Sequence, residues 1–481
     1  MKGKKLLILL NSMNEEEFLN LSKAVHSPLI NTNERISQLY DYLKDHFPDF
    51  NKALSNQEEL YHFIFPGEPY NDYKLRRLLS GFTQQVGTFL ALLEVIRDKE
   101  LEKKLVRRVL SVRNLHSLYE KEAKAGISAL ESSPYRDAAY FQEKVQLYDS
   151  YYYHPQTEKH TVKPSFLQDL SDSLDAWYIL FKYRLAVELK NREQIFSEKY
   201  QLESMDFLEG AVAKKVLGDN TVYQAYQTLS QLYQHQGSAH FQSLKEALLK
   251  VIGHIRKNDQ LILFQQLLNF AIRQINLGQS GFYTEVLGLY KLGLNYGLLT
   301  DSGRMSEATY TNIVLVGCEE GEFDWTYEFI NDWAASVDVE ASAREDVKAH
   351  CFSLWHYFRK EYDEALDLIR EHRFSEPFIL RARMLEVRIT FEQFLLDTTY
   401  YNLLTSKAKA FEKYLSRARH LPKLLKESHN NTLSLLRKIA SAHHKKDSPL
   451  SIAEWVQQEG NSNRPLVLRN WLLKQVSKIT P

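Results

Sequence analysis

One cysteine of the chain has histidines close by in sequence, which is what a thiol nucleophile with a general base would need. Cys351 directly follows His350 and precedes His356 by five positions. On a helix, adjacent side chains diverge by about 100° and side chains five apart do not meet, so neither imidazole could take the thiol proton. The sequence therefore predicts a buried structural cysteine. Cys318, with no histidine nearby, is interpreted in the same way.

Other patterns of known chemistry are missing. The chain contains no HExxH, no paired CxxC and no GxSxG. Gly288, Gly293 and Gly297 lie in LGLYKLGLNYGLL without the lysine and hydroxyl residue that complete a phosphate loop, so we interpret them as close helix contacts or helix ends. We predict a protein that is not an enzyme and has no cofactor.

A pair of adjacent histidines is the remaining metal candidate. His443 and His444 precede Lys445 and Lys446. Two adjacent ligands on one helix point apart, so the pattern indicates a solvated basic helix end and no metal site.

The composition predicts long helices in a cytoplasmic protein. Of 481 residues only 18 are glycine and 12 are proline, too few for the many tight turns of an all-β chain. Two cysteines exclude a disulfide framework. Five apolar residues, Leu6 to Leu10, are fewer than the roughly 7–15 of a secretory signal, and no stretch approaches the roughly 18 apolar residues of a membrane span. We therefore expect no contact with a membrane.

Charge is distributed unevenly although its total is zero. Residues 301–400 hold 21 acidic and 10 basic residues, a balance of −11, and residues 401–446 hold 11 basic and 2 acidic ones, a balance of +9. This basic block could bind nucleic acid phosphates, an acidic protein or the acidic part of a second copy. It could equally be a solvated helix face. The candidate binding residues in it are Arg417, Arg419, Lys423 and Lys426.

Residues 1–97 indicate an N-terminal helical domain. Capping-box spacing at Asn14 with Glu17 and at Ser55 with Glu58 predicts two helix starts. Apolar residues recurring at three and four positions predict a helix from about 70 to 96 with one buried stripe. Long connecting helices are expected over 98–155, one of them spanning 101–130, and the polar segment 154–164 indicates a linker.

An internal period of about 40 residues follows the linker. Five segments align on a large apolar residue and a small or aliphatic residue three positions later. They begin at Leu244, Tyr283, Phe323, Tyr362 and Tyr401, at intervals of 39, 40, 39 and 39 residues. Each period holds two helical stretches, with the clearest break at Gly321. Such a unit cannot bury both apolar faces alone, so we predict an all-α chain with an α-solenoid of helical hairpins over 165–420 and a C-terminal helical cap over 421–481.

One of these periods resembles a tetratricopeptide repeat. In AHCFSLWHYFRKEYDEALDLIREHRFSEP, residues Tyr362, Ala365, Ile369 and Pro377 stand at that family's spacing, with Phe352 in the first helix. A small residue at 365 would let the paired helices approach closely. With its N-terminal helical region containing SPLINTNE and FPGEPYNDYKLRRLL, the chain is also similar to a group of uncharacterised bacterial proteins.

The resemblance implies a function in binding. Tetratricopeptide arrays bind peptides or proteins along a concave surface formed by their first helices, and this would place His350, Leu354, Tyr357 and Phe358 on that surface. The alternative is that all four pack in the core, which their helical spacing favours for Leu354 and Phe358. We predict a protein-interaction scaffold with His350 and Tyr357 as contact residues. A nucleic-acid-binding regulator that uses the basic block of residues 401–446 is the alternative.

Overall fold

The structure, a computed structural model, describes residues 3–195, 199–201, 208–235, 238–376, 378–445, 465–469, 471–472 and 474–475. It is all-α, as predicted: 78% is helical, with 22 α-helices and no β-strand in these ranges. The chain divides into two compact units. Unit 1 comprises Met1–Ser133 and Lys144–Leu170, and unit 2 comprises Pro134–Glu143 and Ser171–Pro481.

Unit 1 begins with six helices, and asparagine side chains cap the starts of four of them. The Asn14 amide accepts from the Glu17 N–H and the Glu17 carboxylate accepts from the Asn14 N–H, which confirms the first capping box. The second predicted box is wrong by one residue: Asn56 is the cap, while the Ser55 hydroxyl donates to the preceding helix. The helices are α1 (Lys4–Asn11), α2 (Glu15–Val25), α3 (Glu34–Lys44), α4 (Asn51–Ser55), α5 (Gln57–Ile64) and α6 (Asp72–Arg97).

The sixth helix supplies the core of this unit. Its predicted stripe is confirmed, because Leu75, Phe82 and Val86 are at most 1% exposed and pack against α1, α2 and α3. Within the described residues α6 is the one helix long and apolar enough to cross a membrane by length and composition. Its stripe packs as that of a core helix does.

The expectation of one helix over residues 101–130 is wrong. Two helices, α7 (Lys99–Val112) and α8 (His116–Glu131), meet at Asn114, whose φ of 57° ends the first helix. Asparagine tolerates this left-handed conformation better than most residues, so one side chain interrupts an otherwise continuous periodic pattern. The helices α9 (Ala138–Tyr152) and α10 (Ser165–Ile195) follow and contribute residues to both units.

Unit 2 continues with twelve helices in the described ranges. They are α11 (Ala211–Leu217), α12 (Thr221–His235), α13 (Ser238–Val251), α14 (Lys257–Asn276), α15 (Phe282–Asn295), α16 (Glu307–Glu319), α17 (Phe323–Trp333), α18 (Ala341–Phe358), α19 (Tyr362–Glu371), α20 (Phe378–Leu396), α21 (Tyr401–Arg417) and α22 (Lys423–His444). From α12 onward each helix packs against the next, and α12/α13, α14/α15, α16/α17, α18/α19 and α20/α21 form consecutive pairs. We call the N-terminal helix of each pair its first helix. The first helices α16, α18 and α20 also pack against the first helix of the neighbouring pair. This arrangement is compatible with a helical-repeat protein.

The turns inside successive pairs have the same geometry. Gly278, Gly321 and Lys360 have φ values of 90°, 75° and 67° and end α14, α16 and α18. After each of them, the next N–H donates to a carbonyl five residues back, at 3.0 Å in all three turns. This hydrogen bond satisfies a carbonyl that a helix end leaves without a partner. The break predicted at Gly321 is confirmed.

The aligned positions of the period also recur in the structure. Phe323, Tyr362 and Tyr401 are the first residues of α17, α19 and α21, whereas Leu244 lies in the middle of α13. Three positions after the start, Val286, Thr326, Ala365 and Leu404 are completely buried. In these four pairs a small or aliphatic side chain therefore lies where the two helices approach each other.

Two glycines of α15 provide a matched test of this packing. A Cβ built on Gly293 would lie 2.6 Å from the Phe264 ring and 2.8 Å from Leu299 Cγ, whereas one built on Gly288 would meet nothing within 4 Å. We expect Gly293→Ala to lower the free energy of unfolding by about 1–3 kcal/mol through overpacking. Gly288→Ala should raise it by up to about 1 kcal/mol because alanine favours helix. Urea denaturation measures both, and equal effects would contradict the close contact at Gly293.

Candidate functional site

The described part of the C-terminal segment, residues 465–475 apart from 470 and 473, lies against helices of unit 2. At its start, the Asn431 side chain of α22 donates to the Pro465 carbonyl at 3.1 Å. The Thr432 hydroxyl accepts from the Val467 N–H at 3.0 Å. Side chains of one helix thus hold the backbone of another part of the chain, as in the binding of a peptide.

Trp471 is the main anchor of this segment. Its indole N–H lies 3.0 Å from the Tyr357 hydroxyl of α18 and 3.1 Å from Glu392 Oε1 of α20. The ring packs edge-on against Phe391, and the Arg388 guanidinium lies 5.2 Å from its centroid. The half-buried ring is thereby packed on one side while its polar N–H finds acceptors, as is usual for a tryptophan in contact with protein.

Beyond Trp471 the segment also contacts α16, the first helix of an earlier pair. Lys474 Nζ lies 3.0 Å from the Glu319 carboxylate at the end of α16. The described residues of this segment therefore contact α22, α20, α18 and α16. Three of these, α16, α18 and α20, are the first helices of successive pairs, and α22 follows the last pair. We call this set of contacts the segment-binding surface.

A buried carboxylate lies at the centre of the segment-binding surface. Glu392 is 5% exposed and its two oxygens have five donors. These donors are the Tyr357 hydroxyl, the Tyr362 hydroxyl at 2.9 Å, Lys360 Nζ at 2.9 Å, the Trp471 N–H at 3.1 Å and the Gln475 amide at 3.2 Å. Burial by itself would favour the neutral acid, but the hydrogen bonds from Tyr357 and Lys360 and the Lys360 charge outweigh it and lower the pKa of Glu392 to about 2. The carboxylate is therefore charged at neutral pH.

The sequence analysis names two members of this network, Tyr357 and Tyr362, and misses the others. Tyr357 was predicted as a contact residue, and it is 2% exposed with its hydroxyl in the network. Glu392 and Trp471 were missed. A signal for Glu392 exists, because it is an acid in the helix α20, which is apolar and buried on almost every side. A charge in such a helix must have partners from elsewhere.

The second predicted contact residue of this repeat, His350, lies in the interior. It is 5% exposed, and burial together with the nearby Arg381 lowers its pKa to about 3. Leu354 is also buried, so the core alternative holds for both residues and for Tyr357, whereas Phe358 is half-buried. His350 thus has no surface to offer a partner.

The prediction of buried cysteines is confirmed. Cys351 is fully buried, Cys318 is 3% exposed, and burial raises the pKa of Cys351 to about 12. His356 instead lies 2.7 Å from the Glu361 carboxylate. A thiol with so high a pKa is a poor nucleophile at neutral pH.

A serine, a histidine and an aspartate also meet in unit 2. Asp346 accepts from His372 at 2.5 Å, from the Ser375 N–H at 3.0 Å and from the Ser375 hydroxyl. In a catalytic triad the histidine lies between serine and acid, whereas here the acid lies between the other two. This cluster ties α18 to the turn after α19, and it does not activate the serine.

The basic block is partly neutralised by ion pairs. Lys407 pairs with Glu386 at 2.9 Å, and Arg437 pairs with Glu412 at 2.8 Å. The four candidate residues lie around the connection between α21 and α22, from the last residue of α21 to the fourth residue of α22. Arg417, Arg419 and Lys423 are exposed, and Lys426 is half-buried. Lys446, which was counted in the block, lies outside the described residues.

The adjacent histidines contact aromatic rings. His444 stacks on Tyr401 with 4.3 Å between centroids, and His443 meets Phe394 edge-on at 5.6 Å. Among the described residues no group of three or more His, Cys, Asp or Glu side chains could hold a metal ion.

Compared with known proteins, the chain matches no family model, no curated sequence and no solved structure.

The charged state of Glu392 should stabilise the fold in a pH-dependent way. Because its pKa falls from 4.5 to about 2 on folding, this stability is present above pH 4.5 and is lost as the pH falls toward 2. We expect Glu392→Gln to lower the free energy of unfolding at pH 7 by about 3 kcal/mol, and the difference from wild type to shrink below pH 4.5.

Chemical denaturation at several pH values measures this effect. Glu386→Gln on the same helix is the control, since its partly exposed pair with Lys407 should contribute no more than about 1 kcal/mol. A loss at Glu392 that does not change with pH would contradict the assigned charge.

Proposed function

We propose that the chain is a non-enzymatic, cytoplasmic protein-interaction scaffold that binds a peptide or protein along the segment-binding surface. Consecutive helix pairs would form a tetratricopeptide-like α-solenoid, and the first helices would provide its binding face. One observation carries this proposal: the described residues of the chain's own C-terminal segment, 465–469, 471, 472, 474 and 475, lie across α22, α20, α18 and α16 as a bound peptide would.

The chemistry of the anchor supports this function. A tryptophan held by an aromatic hydroxyl and a buried, fully hydrogen-bonded carboxylate has the composition of an interface hot spot. The cation at Lys474 pairs with Glu319, which belongs to the acidic stretch 301–400 with its balance of −11. The favoured partner is therefore a segment with a tryptophan and a basic residue about one helical turn apart.

Competition between the native segment and an added peptide tests the proposal. A fluorescent peptide of residues 462–481 should bind full-length Trp471→Ala protein at least about tenfold more tightly than wild type, because the intact wild-type segment competes at high effective concentration. Fluorescence anisotropy measures the affinity. The same peptide with Trp471→Ala is the control and should not bind. If neither protein binds the native peptide, the surface does not accept ligands in trans.

Nucleic acid binding through the basic block is the second candidate. The exposure of Arg417, Arg419 and Lys423 around the α21–α22 turn favours it. The basic residues near the start of α6 favour it less, because Arg76 pairs with Asp72 at 2.5 Å and Lys74 with Glu68 at 2.6 Å. If the chain binds nucleic acid, the phosphates would therefore contact the α21–α22 turn of unit 2.

Salt dependence separates the two functions. If the scaffold is the function, nucleic acid should bind only in the nonspecific range of roughly 10⁻⁴–10⁻⁶ M at physiological salt. Replacing Arg417, Arg419, Lys423 and Lys426 by glutamate should then leave binding of the 462–481 peptide unchanged. Filter binding over a salt series measures the affinity for nucleic acid. Tight binding that the four substitutions abolish would favour the second candidate.

A further inference from the structure

The α7–α8 hairpin of unit 1 ends in aliphatic side chains that the fold leaves exposed. Their exposure rises along α7 toward the turn, from 38% at Leu105 through 50% at Val109 to 74% at Val112. Leu115 in the turn and Leu118 in α8 are 44% and 51% exposed. Within the described residues none of these five belongs to a hydrophobic cluster. A contiguous exposed apolar patch of this kind marks a binding surface.

The inner side of the hairpin is firmly packed. Leu110 of α7 packs against a cluster that contains the buried Tyr119 and Ala123 of α8. At 100° per residue, Leu110 lies about 100° or more around the helix from each exposed aliphatic side chain of α7. The Tyr119 hydroxyl donates to the Ser150 carbonyl of α9 at 2.8 Å. The exposed side chains therefore stand on a support that other residues hold in place.

The charge of the hairpin end has one sign. Residues 103–118 contain five basic residues and no acidic residue, a balance of +5. Arg108 and Arg113 are exposed, and neither has an ion-pair partner among the described residues. Lys103 and Lys104 have polar partners within unit 1. A surface with this balance attracts anions.

The end of α9 adds an aromatic side chain and a further cation. His154, which follows α9, stacks on His116 at the start of α8 with 5.4 Å between ring centroids, so the end of α9 lies beside the hairpin turn. Tyr153 is 63% exposed there, and Nζ of the exposed Lys159 lies 5.8 Å from the centroid of its ring. Tyrosine and lysine, with apolar bodies and polar tips, suit the boundary between water and hydrocarbon.

We propose that this end of unit 1 binds the surface of a membrane that contains anionic lipids. The aliphatic side chains enter the boundary between head groups and acyl chains, and the cations contact lipid phosphates. A lipid surface suits these side chains better than a groove on an acidic protein, because they stand at the end of a hairpin, where a deformable surface can reach all of them. The contact residues are Arg108, Val109, Val112, Arg113, Leu115, Leu118, Tyr153 and Lys159.

This contact is with the surface of a bilayer. The expectation of no membrane contact rested on the lack of a secretory signal and of a spanning stretch in the sequence. Surface binding requires neither, because apolar side chains reach only about 5–10 Å into the head-group boundary. The proposal concerns unit 1, whereas the segment-binding surface belongs to unit 2, so it does not depend on the proposed function.

Co-sedimentation of the full chain with vesicles tests the proposal. We expect reversible binding to vesicles with about 30% phosphatidylserine in phosphatidylcholine, because the cations and the aliphatic side chains act together. Binding should be at least about tenfold weaker to phosphatidylcholine alone, and also at about 1 M salt, which screens the charges. No binding to the anionic vesicles, or equal binding to both kinds, would overturn the proposal. An acidic protein would then be the better candidate for this surface.

Matched variants separate the apolar contact from the charge. The double variant Val109→Gln with Val112→Gln should weaken binding to the anionic vesicles at least about tenfold, because it removes two aliphatic contacts. Arg108→Gln with Arg113→Gln should also weaken it at least about tenfold, since each cation near the surface contributes about fivefold.

A second exposed hairpin end provides the control. Leu277, in the α14–α15 turn of unit 2, is 67% exposed and lies between the uncharged Asn276 and Gly278. Leu277→Gln should bind like wild type, and all these variants should melt like wild type because the replaced side chains are exposed. An equal loss of binding in Leu277→Gln, or full binding by either double variant, would overturn the proposal.

A fluorescent label reports which part of the chain meets the lipid. Because the native Cys318 and Cys351 are buried, a polarity-sensitive dye can be attached to Val112→Cys or to Leu277→Cys alone. The dye at position 112 should brighten and shift to shorter wavelength when anionic vesicles are added, because it enters an apolar environment. The dye at position 277 should not change. A change at position 277 without one at position 112 would overturn the proposal.

Discussion

A pair of helices covers only one apolar face of each of its members, and the architecture of unit 2 depends on this constraint. The first helices α16, α18 and α20 each pack against a second helix of their own pair and against the neighbouring first helix. The helix α20 shows the result most clearly, with residues as different as Phe391, Thr390 and Arg388 buried along its length. Each pair in such an array is therefore stabilised by the apolar surface that it buries against the neighbouring pair.

The same burial explains why the C-terminal segment and the turn after α18 are coupled. The Glu392 carboxylate on α20 has very little access to water and needs several donors to stay charged. Tyr357 and Tyr362 provide two from the neighbouring pair, and Lys360 provides a third from the turn itself. Lys360 has the left-handed backbone conformation that glycine has in the corresponding turns, and its ion pair with Glu392 offsets the cost of that conformation. Trp471 and Gln475 complete the set of donors.

The helix α10 differs from α18 and α20 in how far its outer face is exposed. Its inner face is buried as deeply as any in the unit, whereas its outer face exposes four large apolar side chains in one stripe. In α18 and α20 the comparable apolar surface is covered by neighbouring helices and by the C-terminal segment.

The sequence by itself determined the features that depend on residues within a turn or two of each other. Few glycines and prolines determined the helical class, spacing determined the buried stripe of α6, and Gly321 and Ala365 were correctly assigned to a turn and to a buried contact. Local signals gave the wrong helix boundary where a single residue decided it. Asn56, and not Ser55, caps α5, and Asn114 ends α7 within a periodic pattern. Only the tertiary structure could bring Trp471 to Glu392, 79 residues away, or bury His350. A hydrogen bond between distant residues depends on which helices meet, and the local spacing around either partner does not record this.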